Sequence, residues 1–341
     1  MPAFRLVTLI SILLCFCVVV FGAYVRLADA GLGCPDWPGC YGHLDVPRTE
    51  VEIAHAEARY PERPVEAPKA WKEMIHRYLA STLGLLIVAL AVMSLLFRQA
   101  QLPRRLPWFL VGLVIFQGIL GMWTVTWQLK PLVVTAHLIG GMTTLSLLVL
   151  LGLRVFRPRS VPDTPVAGVV APPVTAPSGL QRWAAIGLVV VALQIFLGGW
   201  TSTNYAALAC PDFPTCHGRW LPETDFPTAF TLWHGLGINY EFGILDNDAR
   251  MTIHWVHRVG AVVVTAVIGL LGLLLLRVQA PLYRGLGALV LGLLAVQVAI
   301  GIMTVKLQLP LLLAAAHNGG AALLLLSLVS LNYYAWKPLQ P

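Results

Sequence analysis

Cys34-Pro-Asp-Trp-Pro-Gly-Cys40-Tyr-Gly42 and Cys210-Pro-Asp-Phe-Pro-Thr-Cys216-His-Gly218 decide the fold, because six of the nine positions are identical at an offset of 176 residues. The likeness continues downstream. Gln117, Gly121, Thr124, Val125 and Gln128 recur as Gln297, Gly301, Thr304, Val305 and Gln308 at an offset of 180, and Ala136-His137 falls without a gap on Ala316-His317. His76-Arg77 falls on His257-Arg258 at 181. Matches this regular mark an internal duplication.

Composition says in what solvent the two copies fold. Hydrophobic residues make up 57% of the 341 and charged residues 11%, with a mean hydropathy of +0.75. A soluble domain carries about 25% charge. So little polarity suits a chain solvated by the lipid bilayer. Eight apolar runs are long enough to cross roughly 30 Å of hydrocarbon at about 1.5 Å per helical residue. They lie near Leu6–Val25, His76–Phe97, Pro107–Thr126, Pro131–Leu153, Trp183–Ser202, Thr252–Leu276, Leu282–Val305 and Leu309–Tyr333. The first run also has a signal-peptide trait, since Arg5 precedes it; its length and its internal repeat partner favour a membrane helix. Four runs per copy make the two copies parallel. The expected fold class is all-α: an integral membrane protein of eight transmembrane helices in two pseudo-symmetric four-helix bundles. The expected halves are 1–157 and 180–341, joined by a linker rich in Pro, Ala and Val at 158–179.

The formal charge of +7 would also suit a nucleic-acid partner. The basic residues instead sit at the ends of the apolar runs, so no nucleic-acid partner is expected. The short connections are basic, with Arg98, Arg104 and Arg105, then Arg154, Arg157, Arg159 and Arg182, then Arg277 and Arg284, and Asp163 is their only acid. The two long connections mix both signs. The positive-inside rule then puts both termini in the cytoplasm and both long loops outside.

Four of nine histidines occupy repeat-equivalent places: His76 and His257 at the outer starts of runs two and six, and His137 and His317 about two turns into runs four and eight. An ionisable side chain in a membrane helix marks a functional site by default. Two neutral imidazoles facing across a bundle suit the axial positions of a heme iron. The nearby Gly140-Gly141 and Gly319-Gly320 would leave room for a flat macrocycle. The plain alternative is packing histidines held by hydrogen bonds. Zinc is disfavoured, because no carboxylate or Cys lies near at membrane depth. Arg77 and Arg258 are candidate partners for heme propionates or else interfacial anchors; Arg26 is a further candidate.

The copies differ at one telling position. Glu73 lies three residues before His76, on the same helix face, whereas His254 lies three before His257. A carboxylate beside one imidazole pair alone suggests divided labour, with Glu73 stabilising charge or moving a proton. A helix N-terminal acid favoured by the dipole is the alternative. Cys34 and Cys40, and Cys210 and Cys216, can oxidise to disulfides in outer loops, as staples or as redox groups. Cys15 and Cys17 read as small apolar residues of the first run.

At these residues the chain resembles the heme A synthase family, over nearly its full length. Gly31-Leu-Gly-Cys34-Pro-Asp-Trp-Pro, Glu73-Met-Ile-His76-Arg77 and Ala136-His137 look like that family's motifs. The resemblance implies an oxidoreductase that converts heme O to heme A by successive hydroxylation of the C8 methyl to a formyl group. It implies that His76 and His137, with Glu73, hold the substrate, and that His257 and His317 hold a heme b that carries electrons. It further implies a bacterial inner membrane, with heme O synthase and heme-copper oxidase assembly factors as partners. Two other classes stay open on the residues alone: a diheme cytochrome b-type carrier linked to quinone, and a heme carrier or assembly factor. A simple electron carrier would not need the Glu73/His254 difference. Two features have no assigned role: the long first outer loop, about Ala28–Lys72, and His254, which is a rival ligand.

Overall fold

The computed structural model describes residues 2–97, 102–156 and 178–337. Most of the 158–179 linker, together with Arg98, Arg157, Arg159 and Asp163, lies outside the described residues. Within them the chain forms α1 (Pro2–Leu27), α2 (Glu50–Arg59), α3 (Ala67–Leu96), α4 (Arg105–Thr126), α5 (Pro131–Phe156), α6 (Leu180–Thr203), α7 (Phe226–Ala229), α8 (Asn247–Leu276), α9 (Pro281–Lys306) and α10 (Leu311–Trp336). All but α2 and α7 are long and apolar enough to cross a membrane, which gives eight candidate spans among the described residues. Leu13, Leu85, Phe109, Leu193 and Val262 are each more than half exposed, as a lipid-facing surface requires.

Two helices begin earlier than the apolar runs suggest. His76 is nine residues into α3, and His257 is ten residues into α8. Neither therefore stands at a helix start. Lys69, Lys72 and Glu73 interrupt the apolar pattern, yet they are good helix formers, and Pro68 suits the first turn. In α8, Asp246 caps the helix by accepting from the Ala249 amide. Glu73 is thus a mid-helix residue rather than an acid placed by the N-terminal dipole. In the first outer loop, α2 is a separate short helix with a complete Thr49/Glu52 capping box.

The eight long helices pack as two rings. α1, α3, α4 and α5 contact one another in cyclic order, as do α6, α8, α9 and α10. Between the rings, α1 meets α10, α5 meets α6, and α5 meets α10. The first two pairs exchange when each helix is replaced by its repeat equivalent, and the third maps onto itself. This is the contact pattern of a pseudo-two-fold axis. The repeat reaches into backbone detail. Left-handed residues recur at Asp29 and Tyr205, at Tyr41 and His217, and at Gln128-Leu129 and Gln308-Leu309. Arg5 donates to the Val155 carbonyl, and its equivalent Gln181 donates to that of Ala335.

The second outer loop breaks the symmetry. It reaches from the C-terminal ring onto the N-terminal one. Glu241 pairs with Arg63 at 2.9 Å, the Tyr240 amide donates to Gln128, and Lys130 donates to the Gly235 carbonyl at 2.6 Å beneath the Trp233 ring.

Candidate functional site

Each candidate imidazole packs against a glycine of the neighbouring helix. His76 lies over Gly22, His137 over Gly121, His257 over Gly198 and His317 over Gly301. A Cβ built on these glycines would come within 2.9, 3.5, 3.2 and 2.9 Å of the four Cε1 atoms, so at the closest sites only glycine leaves room for the ring. The pairs obey the repeat, α1 with α3 and α4 with α5 in one half, α6 with α8 and α9 with α10 in the other. Gly140 and Gly320 do not open space for a macrocycle. Their empty sides are filled by Gln117 and Gln297, while Gly141 meets Val19 and Gly319 meets Val20.

The ring nitrogens are unequal. Nδ1 of His76, His137 and His317 is buried with no hydrogen-bond partner, whereas Nε2 of none of the four is buried and unpaired. One histidine of each pair is on α3 or α8 and the other on α5 or α10, helices of the same ring. Among the described residues, no three His, Cys, Asp or Glu converge as they would around a bare metal ion. Two imidazoles alone suit a metal that brings its remaining ligands with it, as heme iron does. The donor set therefore fits a heme in each half.

Glu73 and His254 do the same local work with different chemistry. The buried Glu73 carboxylate accepts from the Cys34 amide at 2.9 Å and from the Arg77 guanidinium. His254 lies 3.2 Å from the Cys210 amide through Nδ1 and 3.2 Å from Arg258 Nε through Nε2. Each residue thus stands between the first cysteine of an outer loop and the arginine one turn further on; the carboxylate accepts from both, whereas a neutral imidazole accepts from one. Those loops are closed by Cys34–Cys40 and Cys210–Cys216 disulfides. Arg77 also donates to the carbonyls of Asp36, Pro38 and Gly39. Arg258 donates to those of Cys210, Asp212 and Thr215. Both guanidinium groups clamp the disulfide loops onto α3 and α8. In the second loop, hydrogen bonds from Thr215, Gly218 and His217 hold the Asp212 carboxyl well below the usual carboxylate range. Gly42 and Gly218 close the two turns at φ +80° and +73°, a region open to glycine.

The clamp has a measurable consequence. Arg77→Gln is expected to speed reduction of Cys34–Cys40 by dithiothreitol about tenfold, since one charge-assisted hydrogen bond contributes about 1.5 kcal/mol against local opening. Alkylation followed by mass spectrometry reads the rate. An unchanged rate would show that the loop is held without Arg77.

Fold and site together define a class: a duplicated all-helical membrane protein with one half-buried imidazole pair in each half. The chain belongs to the family described as cytochrome oxidase assembly protein, whose model matches residues 5–329. It is 48% identical over 330 residues to a heme A synthase of Shewanella oneidensis, covering 97% of this chain and 95% of that one. A heme A synthase of Caulobacter sp. strain K31 is 30% identical, over 96% of this chain and 94% of its own. One from Mesorhizobium japonicum is 27% identical, over 93% and 86%.

Proposed function

We propose that this protein is a heme A synthase, a membrane oxidoreductase that converts heme O to heme A. The reaction takes the C8 methyl to a formyl group by successive hydroxylation, a four-electron oxidation overall that draws on an oxidant from outside the chain. The observation that carries this reading is the imidazole pair repeated in both halves with a carboxylate beside one pair only. An electron carrier has no use for that difference.

In this reading His76 and His137 hold the substrate heme O in the N-terminal half, residues 1–157. His257 and His317 hold a heme b in the C-terminal half, residues 180–341. When bound, heme b supplies one-electron transfer to and from the substrate half. The chain's own residues orient and enclose. Gly22 and Gly121 admit the imidazoles of the first half, and Gly198 and Gly301 those of the second, which supports two sites of one design. Glu73 assists the conversion and does not ligate. It lies on the face of α3 that carries His76, and it pairs with Arg77. Arg77 and Arg258 remain candidates for the propionates, and the loop carbonyls they now bind compete for the same donors. The protein is assigned to a bacterial inner membrane with both termini cytoplasmic. Heme O synthase, as the supplier of substrate, and heme-copper oxidase assembly factors, as the receivers of product, are its proposed partners.

Expression beside a heme O producer, followed by pigment extraction, tests the assignment. Heme A, with hydroxylated intermediates, is the expected outcome. Recovery of bound heme b alone would overturn the synthase and favour a diheme electron carrier.

A further inference from the structure

Three of the four candidate ligands have a glutamine beside them, and one does not. On α6, Gln194 Nε2 lies 2.9 Å from the His257 carbonyl and 3.1 Å from His257 Nδ1. On α9, Gln297 Nε2 donates to the His317 carbonyl at 2.9 Å. On α4, Gln117 occupies the matching place over Gly140, one turn beyond His137. His76 lacks such a neighbour; Nδ1 is buried and unpaired in His76, His137 and His317 alike, so of the four only His257 has its Nδ1 met by an amide. The repeat equivalent of Gln194 is Val18, at the same offset of 176 that aligns Gly198 with Gly22. The exchange is compensated. A Cβ on Gly260 would overlap the Gln194 side chain, so Gly260 makes its room. The equivalent of Gly260, at the offset of 181 that aligns the two histidines, is Leu79. One half therefore carries Gln194 with Gly260, and the other Val18 with Leu79.

An imidazole that ligates iron through Nε2 carries its proton on Nδ1. The partner of that N–H fixes the ring's orientation and strengthens the ligand. An amide carries both a donor and an acceptor, so Gln194 can partner Nδ1 in either tautomer; its Oε1 is buried and has no other partner. At His76 the same N–H would be left unpaired in an apolar setting, which weakens that bond to the metal. We infer that Gln194 is a positioning residue that locks His257 onto a resident heme, and that Val18 in its place beside His76 makes the N-terminal half the one that exchanges its heme. The inference rests on the proposed reading of two heme sites. It adds what separates a retained heme from one that must enter and leave.

The test uses the full chain with His76→Ala and His137→Ala, loaded with heme b, so that only the C-terminal half is read. Heme release to excess apomyoglobin and the midpoint potential are measured before and after Gln194→Val with Gly260→Leu. That pair copies residues the fold already accommodates in its other half. Release is expected to accelerate at least about tenfold, the usual penalty for losing a hydrogen-bond partner of a metal-bound histidine. The potential is expected to rise, because the ligand becomes less basic. The reciprocal pair, Val18→Gln with Leu79→Gly, in a chain carrying His257→Ala and His317→Ala, is expected to slow release from the N-terminal half by a similar factor. Unchanged release and potential, with the bis-imidazole spectrum intact, would overturn the inference and leave the two-site reading standing. A parent chain with no bis-imidazole spectrum would overturn both.

Discussion

Replacing Glu73 with His is expected to leave the first disulfide loop in place and to lower heme A formation about a hundredfold or more, the range in which a positioned acid or base acts. His254 is the reason for choosing this substitution. It shows that an imidazole at this helical position can meet a cysteine amide and the arginine one turn on. Glu73→His therefore keeps the shape of the anchor and removes the carboxylate. Glu73→Ala removes both, and is expected to retain bound heme while losing conversion. Pigment extraction reads the conversion, and the rate of Cys34–Cys40 reduction reads the anchor. If Glu73→His still made heme A at the parent rate, the carboxylate would be an anchor and nothing more. If either variant lost all heme, Glu73 would be part of the binding site.

The contrast between Glu73 and His254 was legible in the sequence; what each residue holds was not. Spacing along one helix places Glu73 on the face of His76, but the Cys34 amide arrives from a loop 39 residues away in sequence. The same limit explains the glycines. Gly140-Gly141 and Gly319-Gly320 follow the histidines in the chain, which is the only relation a linear sequence displays. The glycines that admit the rings, Gly22, Gly121, Gly198 and Gly301, lie on neighbouring helices, where no sequence period connects them to a histidine. The repeat did contain a signal for Gln194. Aligning α1 with α6 puts Val18 opposite a glutamine at membrane depth, and a polar residue there needs a partner. Hydropathy located the spans and misplaced the starts of α3 and α8, because a helix can continue past its last lipid-facing residue into the outer loop. The contacts by which the second outer loop holds the first half, Glu241 to Arg63 and Gly235 to Lys130, have no repeat counterpart to reveal them.

His317→Ala is expected to remove the low-spin bis-imidazole spectrum of the C-terminal half completely, whereas His254→Gln is expected to preserve it. On sequence alone His254 is a rival ligand, because it stands three residues from His257 on one helix. Its surroundings argue against that role. The ring stands between two donors, the Cys210 amide at Nδ1 and Arg258 at Nε2; a neutral imidazole accepts from one of them, and the residue is 4% exposed. Ligation through the accepting nitrogen would break an anchor of the disulfide loop and leave its buried donor without a partner, at a cost of about 1–3 kcal/mol. His317 carries no such duty. Its Nδ1 is unpaired, and Gln297 grips its backbone carbonyl and leaves the ring free of any loop. Absorption and electron paramagnetic resonance spectra of the purified full chain, recorded for each variant, separate the two histidines. Loss of the spectrum in His254→Gln with retention in His317→Ala would reverse the assignment and make α8 the source of both axial candidates.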